Sequence, residues 1–485
     1  MLLASAVPCQ ETTPKAEPAA ATGEQEKPPA GQEEEDPLKD LTDWPDELLK
    51  SRYRLPATPD PSPLVPYARP DLLLEWPERF LGTGRLGEGL RIDLPTGATW
   101  RPKLWVFGTM RSAVQMADDG KDGNIFEWAN RLDLYTQLSF TGTERILLGL
   151  RPLDEERSDT RTFLGADIRN DHFIEAWNAK IQTLFFEGDI GEIFSNADKQ
   201  DSDSLDWGFS VGRQPLLLQD GLLINETAID AVTLTRNTLN GGENLNLRIT
   251  SLFAWDHLNR RNQERDDDAW MAGLLSEIDF KPTTINLDML YVDDTEGDSF
   301  HFGISASQRV KAFHNTFNVV AHALMSLPVG EETEVAGQGG LLFVQTSWTP
   351  HGGENIVYGN AFWGIDDYTV AARSPGVSGP LGRAGLLFSN PGIGTLASPL
   401  DNHAQDVVGV ALGYQILFDG FDRQLVFEVG ARHDTNGVDE AAIGVASRYQ
   451  HAFGRHVILI VDAFFAQAET NDPAVGGRVE ILIKF

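Results

Sequence analysis

A single cysteine, Cys9, stands among 485 residues, which excludes an internal disulfide and a cysteine-based zinc site. Long apolar runs are missing as well: no stretch of eighteen or more occurs, so the sequence offers no transmembrane helix. Positive charge is scarce. With 39 Lys and Arg against 72 Asp and Glu the formal charge is −33, the reverse of what a nucleic-acid binder needs to neutralise phosphates. Local catalytic signatures are lacking too. "GISAS" at 303–307 is not a nucleophile elbow, and none of the ten scattered histidines stands at a spacing that pairs with it. No C-x-x-C-H is present, so any haem would belong to another chain.

What is present divides into three regions: 1–40, 41–98 and 99–485. In the first, "Ala4-Ser5-Ala6" looks like the end of a secretory signal, although only three residues precede it; a truncated start or chance explains this. The Pro, Glu and Ala residues that follow cannot bury enough surface to offset chain entropy, and a disordered arm is expected. In the second, Thr42 or Asp43 could cap a short helix with Pro45 in its first turn, while later prolines forbid anything long. A periplasmic linker or plug segment is the expectation there.

From residue 99 onward helical periodicity gives way to apolar/polar alternation in segments of about ten residues. Phe126, Trp128, Leu132, Leu134 and Leu138 share one parity and Glu127, Arg131, Asp133 and Gln137 the other. About eighteen such strands are expected, starting near residues 100, 125, 144, 174, 205, 228, 244, 269, 283, 298, 314, 338, 354, 405, 421, 439, 455 and 475. Breaks after even strands are mostly short ("TGTE", "DGFD", "FGRH"), and several after odd strands are long and charged, 369–404 the longest. Residues 191–204 break that rule, through a miscounted strand or an elaborated turn. The pattern predicts an all-β, transmembrane up-and-down antiparallel β-barrel of about eighteen strands behind a disordered N-terminal arm.

A soluble barrel would turn its apolar face inward; a membrane barrel inverts it. Eighteen strands enclose a lumen too wide for side chains to fill, so the inner face is expected to be wet and the apolar set to face lipid. The polar parity carries too many charges for a dry interior. Trp105, Trp128, Trp177, Trp207, Trp255, Trp270, Trp348 and Trp363 fall near strand ends, as an interfacial girdle requires. The last strand, "RVEILIKF", alternates and ends on Phe485. It resembles the carboxy-terminal signature of Gram-negative outer-membrane proteins that barrel-assembly machinery recognises.

By parity Arg111, Arg131, Asp133, Arg145, Lys180, Arg248, Asp288, Glu428, Arg432, Arg448 and Arg478 face the lumen as pore-lining residues. With the remaining inward charges the count is eleven basic against ten acidic, a balanced wall. Such a wall suggests rows of opposite sign across the bore, which suits small polar solutes; the plainer reading is that many of these charges pair across strands. Residues 1–98 carry net −8, leaving −25 for the barrel, most of it in loops. Clusters such as Asp266, Asp267 and Asp268, or Asp293, Asp294, Glu296 and Asp298, could bind Ca²⁺ or bridge to lipopolysaccharide through divalent ions, although solvated loop charge is the plainer reading. His301 and His322 lie inward on neighbouring strands and could approach each other.

The strand count and "GFSVGRQPLLLQDGLLINETAIDAVTLTR" (208–236) resemble the alginate-export family of outer-membrane porins, in which a G-R-Q element precedes an Asp-led strand. The matching positions are Gly212, Arg213, Gln214, Asp230 and Arg236. The resemblance implies an eighteen-stranded channel without catalytic residues or a cofactor, passing an anionic polysaccharide. The expected function is therefore an outer-membrane channel for small polar or anionic solutes. The alternatives are a structural barrel that sheathes or anchors a partner, or an outer-membrane lipase. Outer-membrane lipid, lipopolysaccharide, the assembly machinery and a periplasmic partner of the N-terminal arm are the expected partners.

Overall fold

The computed structural model describes residues 69–81, 90–120, 123–153, 164–167, 172–174, 177–197, 205–240, 245–260, 265–351, 353–418, 422–437 and 441–485. The signal-like stretch, the Pro/Glu/Ala-rich arm and the short helix expected after Thr42 lie outside the described residues. Eighteen strands form the wall: β1 (Lys103–Asp118), β2 (Asn124–Ser139), β3 (Arg145–Leu150), β4 (Ile181–Asp189), β5 (Trp207–Leu218), β6 (Ile224–Asn240), β7 (Leu245–Asp256), β8 (Trp270–Phe280) and β9 (Thr283–Asp293). The circuit continues through β10 (Ser299–Ala312), β11 (Asn315–Pro328), β12 (Gly339–Trp348), β13 (Ile356–Asp366), β14 (Val407–Phe418), β15 (Arg423–Asp434), β16 (Ala441–Phe453), β17 (Val457–Ala468) and β18 (Ala474–Lys484). Each wall strand pairs antiparallel with its neighbours, and β18 closes on β1 from Val475↔Asp118 to Lys484↔Thr109. A closed ring leaves no sheet edge for the bilayer to meet.

The alternation resolves into an outer and an inner face. Val479 and Ile481 are 50% and 46% exposed, whereas the intervening Glu480 and its neighbour Arg478 are 0% and 4% exposed. Apolar Val114, Met116, Met289, Met325, Val408, Val410, Phe427 and Val445 continue the exposed outer band. Aromatic rings mark its upper border, at the long-loop ends of the strands. Phe253 touches Trp255 and Trp270, Trp270 touches Tyr291, and Tyr291 touches Phe300. At the short-turn end Phe317 and Trp348 pair at 5.0 Å. Amphipathic rings at both levels are what an interfacial girdle consists of.

Three local expectations need correction, and one open alternative is resolved. The fourth wall strand begins at Ile181; residues 172–174, expected to start it, form a short strand paired with 164–167 instead. The break at 191–204 is an elaborated turn: a four-residue helix, Ile190–Ile193, whose exposed N–H groups are capped by Asp189. Trp105 does not join the girdle. It turns to the inner face, packing edge-on against Phe80 and donating its indole N–H to the Glu78 carbonyl. Asp256, expected inward, stands opposite Asp230 on the outer parity, because a register shift next to Trp255 reverses the alternation.

Candidate functional site: a partitioned lumen

The lumen is divided by two segments that leave the wall and fold inward. The first is the tip of the β5–β6 hairpin. Its corner is the Gly212–Arg213–Gln214 element: Gly212 has φ +121, and the register shifts between Gln214 and Leu216. Arg213 braces the corner by two 2.8 Å bonds to Asp230, and its Nη2 lies 3.1 Å from His257 Nδ1. Beyond it Gln219 and Asp220 take left-handed conformations and reach across to the far wall. The Gln219 amide donates to Asp288 at 2.7 Å, and its carbonyl lies 3.0 Å from His322 Nδ1. Arg236, by contrast, stays on the wall, its guanidinium over the Trp207 ring at 5.5 Å.

The second segment is the 367–406 connection between β13 and β14, which folds into the bore as a plug. Its strand Ala372–Arg373 pairs in parallel with Ile224–Asn225 of the hairpin. Tyr368 donates its hydroxyl to Leu222 O at 2.9 Å, and Arg373 Nη2 donates to Gly221 O at 2.6 Å. Apolar side chains of both inserts and the upper inner wall fuse into one buried cluster: Leu222, Leu223, Ile229, Met271, Leu290, Phe343, Phe362, Tyr368, Leu387 and Phe388. The expectation of a wet inner face throughout therefore fails in this half of the lumen, where the inserts supply the filling that the wall alone cannot.

Wall charges fasten the plug. Glu127 accepts the Thr395 N–H at 2.6 Å and its hydroxyl at 3.1 Å. Glu428 accepts the Leu386 and Leu387 N–H groups at 2.9 and 2.8 Å, and the Tyr358 hydroxyl. Glu226, fully inside, accepts the Asn259 N–H at 2.9 Å and the Ser374 hydroxyl. Guanidiniums take the carbonyls: Arg111 Nη2 donates to Pro391 O at 2.9 Å, Arg131 Nη1 to Gly392 O at 3.0 Å, and Arg432 Nη1 to Asp401 O at 2.8 Å. The loop N–H and carbonyl groups among these would otherwise be stranded in the bore.

Beside the plug runs an arc of arginines on contiguous strands, β16–β17–β18–β1–β2–β3. Arg448 binds Asp462 at 2.7 Å, and Arg478 bridges Asp462 and Glu480, each at 2.7 Å. Arg111 grips Glu480 at 2.6 Å; Arg131 and Arg151 share Asp133, each at 2.9 Å. Within these ion pairs five guanidiniums meet three carboxylates, an excess of two positive charges; Glu127 and Glu428, in or next to the same cross-strand rows, are turned to N–H groups of the plug. Arg448 is the most open member, its side chain 28% exposed. Across the ring, nine strands from β18, stand Asp288 on β9 and, from the hairpin tip, Asp220. His322, 3.5 Å away, and the charge of Arg383 hold the Asp220 carboxyl below its usual range, against desolvation. Of the other expected lining residues, Arg145 pairs with Glu187 and Arg248 with Glu277 near the short-turn end, and Lys180 stands half-buried just before β4.

Above the plug opens a vestibule of about 630 Å³, bounded by Tyr368, Arg373, Ser398, Asn402, Arg432 and Asn471. Desolvation would raise the Asp401 carboxyl at its rim, but His403 and Arg432 hold it below its usual range. The loop acids are engaged as well. Asp294 faces the buried Arg260 at 3.5 Å, and Tyr291 donates to Asp298 at 3.1 Å. His301 and His322 do not meet: His301 stands opposite Ser326 and lies 2.9 Å from Ser299 Oγ. Ser305 does stand opposite His322, but the imidazole faces Gln219 and, at 3.5 Å, Asp220, while Ser305 Oγ accepts from Asn286. That leaves no base positioned to activate the hydroxyl.

This architecture has counterparts among solved structures. Pseudomonas aeruginosa OccK9 (OpdG) superposes with a TM-score of 0.54 at 11% identity, covering 79% of this chain and 98% of that one. Acinetobacter baumannii OccAB2 gives 0.53 at 11% identity over 79% and 98% of the two chains. Pseudomonas aeruginosa OpdO gives 0.53 at 12% identity over 79% and 97%. This is an outer-membrane porin fold. No protein-family model and no curated protein matches the chain. At such low identity the porin likeness speaks for architecture, and the solute has to be argued from the lumen itself.

The hairpin tip and the plug are what reading by parity misses. Gln219, Asp220, Arg383 and the Leu386–Phe388 turn belong to connections, where alternation carries no information. The signal for them is compositional: an apolar run, "GLLFS", inside a loop that would otherwise be solvated.

Proposed function

We propose that the protein is a passive outer-membrane channel for small polar solutes, with a preference for anions. The arginine arc carries this reading: five guanidiniums line one side of the bore at the plug, facing Asp220 and Asp288 across it. A net positive arc opposite acidic groups sets up a transverse field that orients a dipolar solute and favours a negative one on the arginine side. The plug argues against a sheath, since the space a protein occupant would need is already filled by the chain. Kinship with alginate-export porins is the finer reading. The Gly212–Arg213–Gln214 corner and the Arg213–Asp230 pair support it, while a bore crossed by two packed inserts suits small solutes better than a polymer.

Single-channel recording in planar bilayers tests this. Stepwise conductance with a reversal potential favouring chloride over potassium is expected, and Arg448→Glu should shift that potential toward cations. Absence of conductance, or an unchanged reversal potential in the variant, overturns the reading.

A further inference from the structure

The closing seam of the barrel is uneven. β1 is sixteen residues long and β18 eleven, so the lower end of β1 runs past its partner. The last chain bonds on that line join Gly108 and Phe485: Gly108 N–H donates to Phe485 O at 2.7 Å and Phe485 N–H to Gly108 O at 3.1 Å. Below this point the seam edge of β1 would present open backbone groups, which a membrane interior does not tolerate and an interface tolerates poorly. A segment ahead of the barrel fills the place. Leu74–Trp76 pairs antiparallel with β1, Leu74↔Val106 to Trp76↔Leu104, on the side that β18 occupies higher up.

The segment is built to stay there. Arg69 bonds Glu75 and, at 2.7 Å, the Phe80 carbonyl; Glu75 accepts the Phe80 N–H at 3.0 Å. Lys103 of β1 reaches Glu78 at 2.7 Å, and Arg455 of the β16–β17 turn reaches Asp71 at 3.4 Å. Its two faces match those of the barrel. Glu75 stands opposite inward Trp105, while Leu74 and Trp76 share the parity of outward Val114 and Met116 and are 45% and 50% exposed.

We infer that Leu74–Trp76 is a nineteenth, partial strand that seals the lower seam and seats Leu74 and Trp76 in the periplasmic leaflet of the outer membrane. The occupant of this exposed apolar face is lipid, because the face continues the lipid-facing band without a break. A leucine and a tryptophan at that level form an interfacial anchor, the ring lying at headgroup depth. The strand fastens the segment preceding the barrel to the pair of strands that closes the ring.

The full chain carrying Cys9→Ser, reconstituted in phosphatidylcholine vesicles, supports the test. An environment-sensitive fluorophore is placed in turn at Trp76→Cys, at Ile483→Cys on the lower outer wall, and at Glu331→Cys in an exposed loop. Shallow nitroxide lipid should quench positions 76 and 483 alike, and aqueous iodide should quench 76 severalfold less than 331. Iodide quenching at 76 equal to that at 331 overturns the lipid seat. Leu74→Pro, which removes a ladder donor facing Val106, should lower the temperature at which the folded band converts in SDS gels while conductance persists. An unchanged conversion temperature overturns the seam role. Should Leu74→Pro fail to assemble, the labelled positions still decide the lipid seat, and Leu74→Asp with Trp76→Asp decides the seam through the same gel shift. Conductance is read separately, so failure here is distinct from failure of the channel reading.

Discussion

The two halves of the lumen follow opposite rules. On the long-loop side the inner wall of β8 to β14 is largely apolar, apart from Ser299, His301 and Ser326: Met271, Leu290, Leu341, Phe343, Phe362 and Val407 are buried against the plug. On the short-turn side the same strands turn Glu277, Asn286, Ser305, Gln345 and Gln415 inward, toward the bore that the arginine arc lines from other strands. One alternating wall thus serves a dry core above and an aqueous bore below. What changes between them is the presence of a filling, since apolar side chains lining an empty bore would face water. The plug is accordingly part of the folded core, fixed by packing as much as by its ionic fastenings.

Removing the filling should break this contrast most. Replacing 376–403 with a short Gly/Ser linker should raise single-channel conductance severalfold and erase ion preference; conductance unchanged from the parent would show the plug does not occlude the path. A smaller perturbation keeps the plug but hollows its core. Phe388→Ala, fully buried and edge-on to Phe362 at 5.2 Å, should loosen the plug by roughly 3–5 kcal/mol. This would be read as increased open-channel noise, with ion selectivity retained because the arginine arc is untouched. The least effect is expected from one fastening alone. Glu127→Gln keeps the shape but weakens the acceptor for Thr395, a change of about 1–3 kcal/mol, visible as brief added openings of the loop toward β2 and little change in mean current.

Much of the wall is legible in the sequence because the bilayer enforces a strict period of two. Wherever strand and turn chemistry agree, as from Leu245 to Pro328 and from Val407 to Lys484, the expected starts fall within a few residues of the observed ones. The fourth strand fails because 151–180 interrupts both strands of its hairpin, and no local pattern distinguishes an interruption from a loop. Arg111, Arg131, Arg448 and Arg478 share the inward parity of Gln115 and Glu480, so their face follows from spacing alone. Their partners do not. The Pro391 and Gly392 carbonyls lie 280 and 261 residues from the guanidiniums that hold them, and alternation knows nothing of such distances. Arg213 is legible as a marked residue but not as a brace, since its partner Asp230 stands across the hairpin in a register that no local pattern sets.

The interlock of hairpin and plug has a consequence in time. Tyr368 and Leu222, which hold the two inserts together, are 146 residues apart along the chain. Translocation delivers the hairpin tip long before its counterpart arrives. Until then Leu222, Leu223 and Ile224 have nothing to pack on, and a partly threaded cylinder would gape. The aperture is therefore a late product of biogenesis, narrowed only when the final third of the polypeptide has been laid into the envelope.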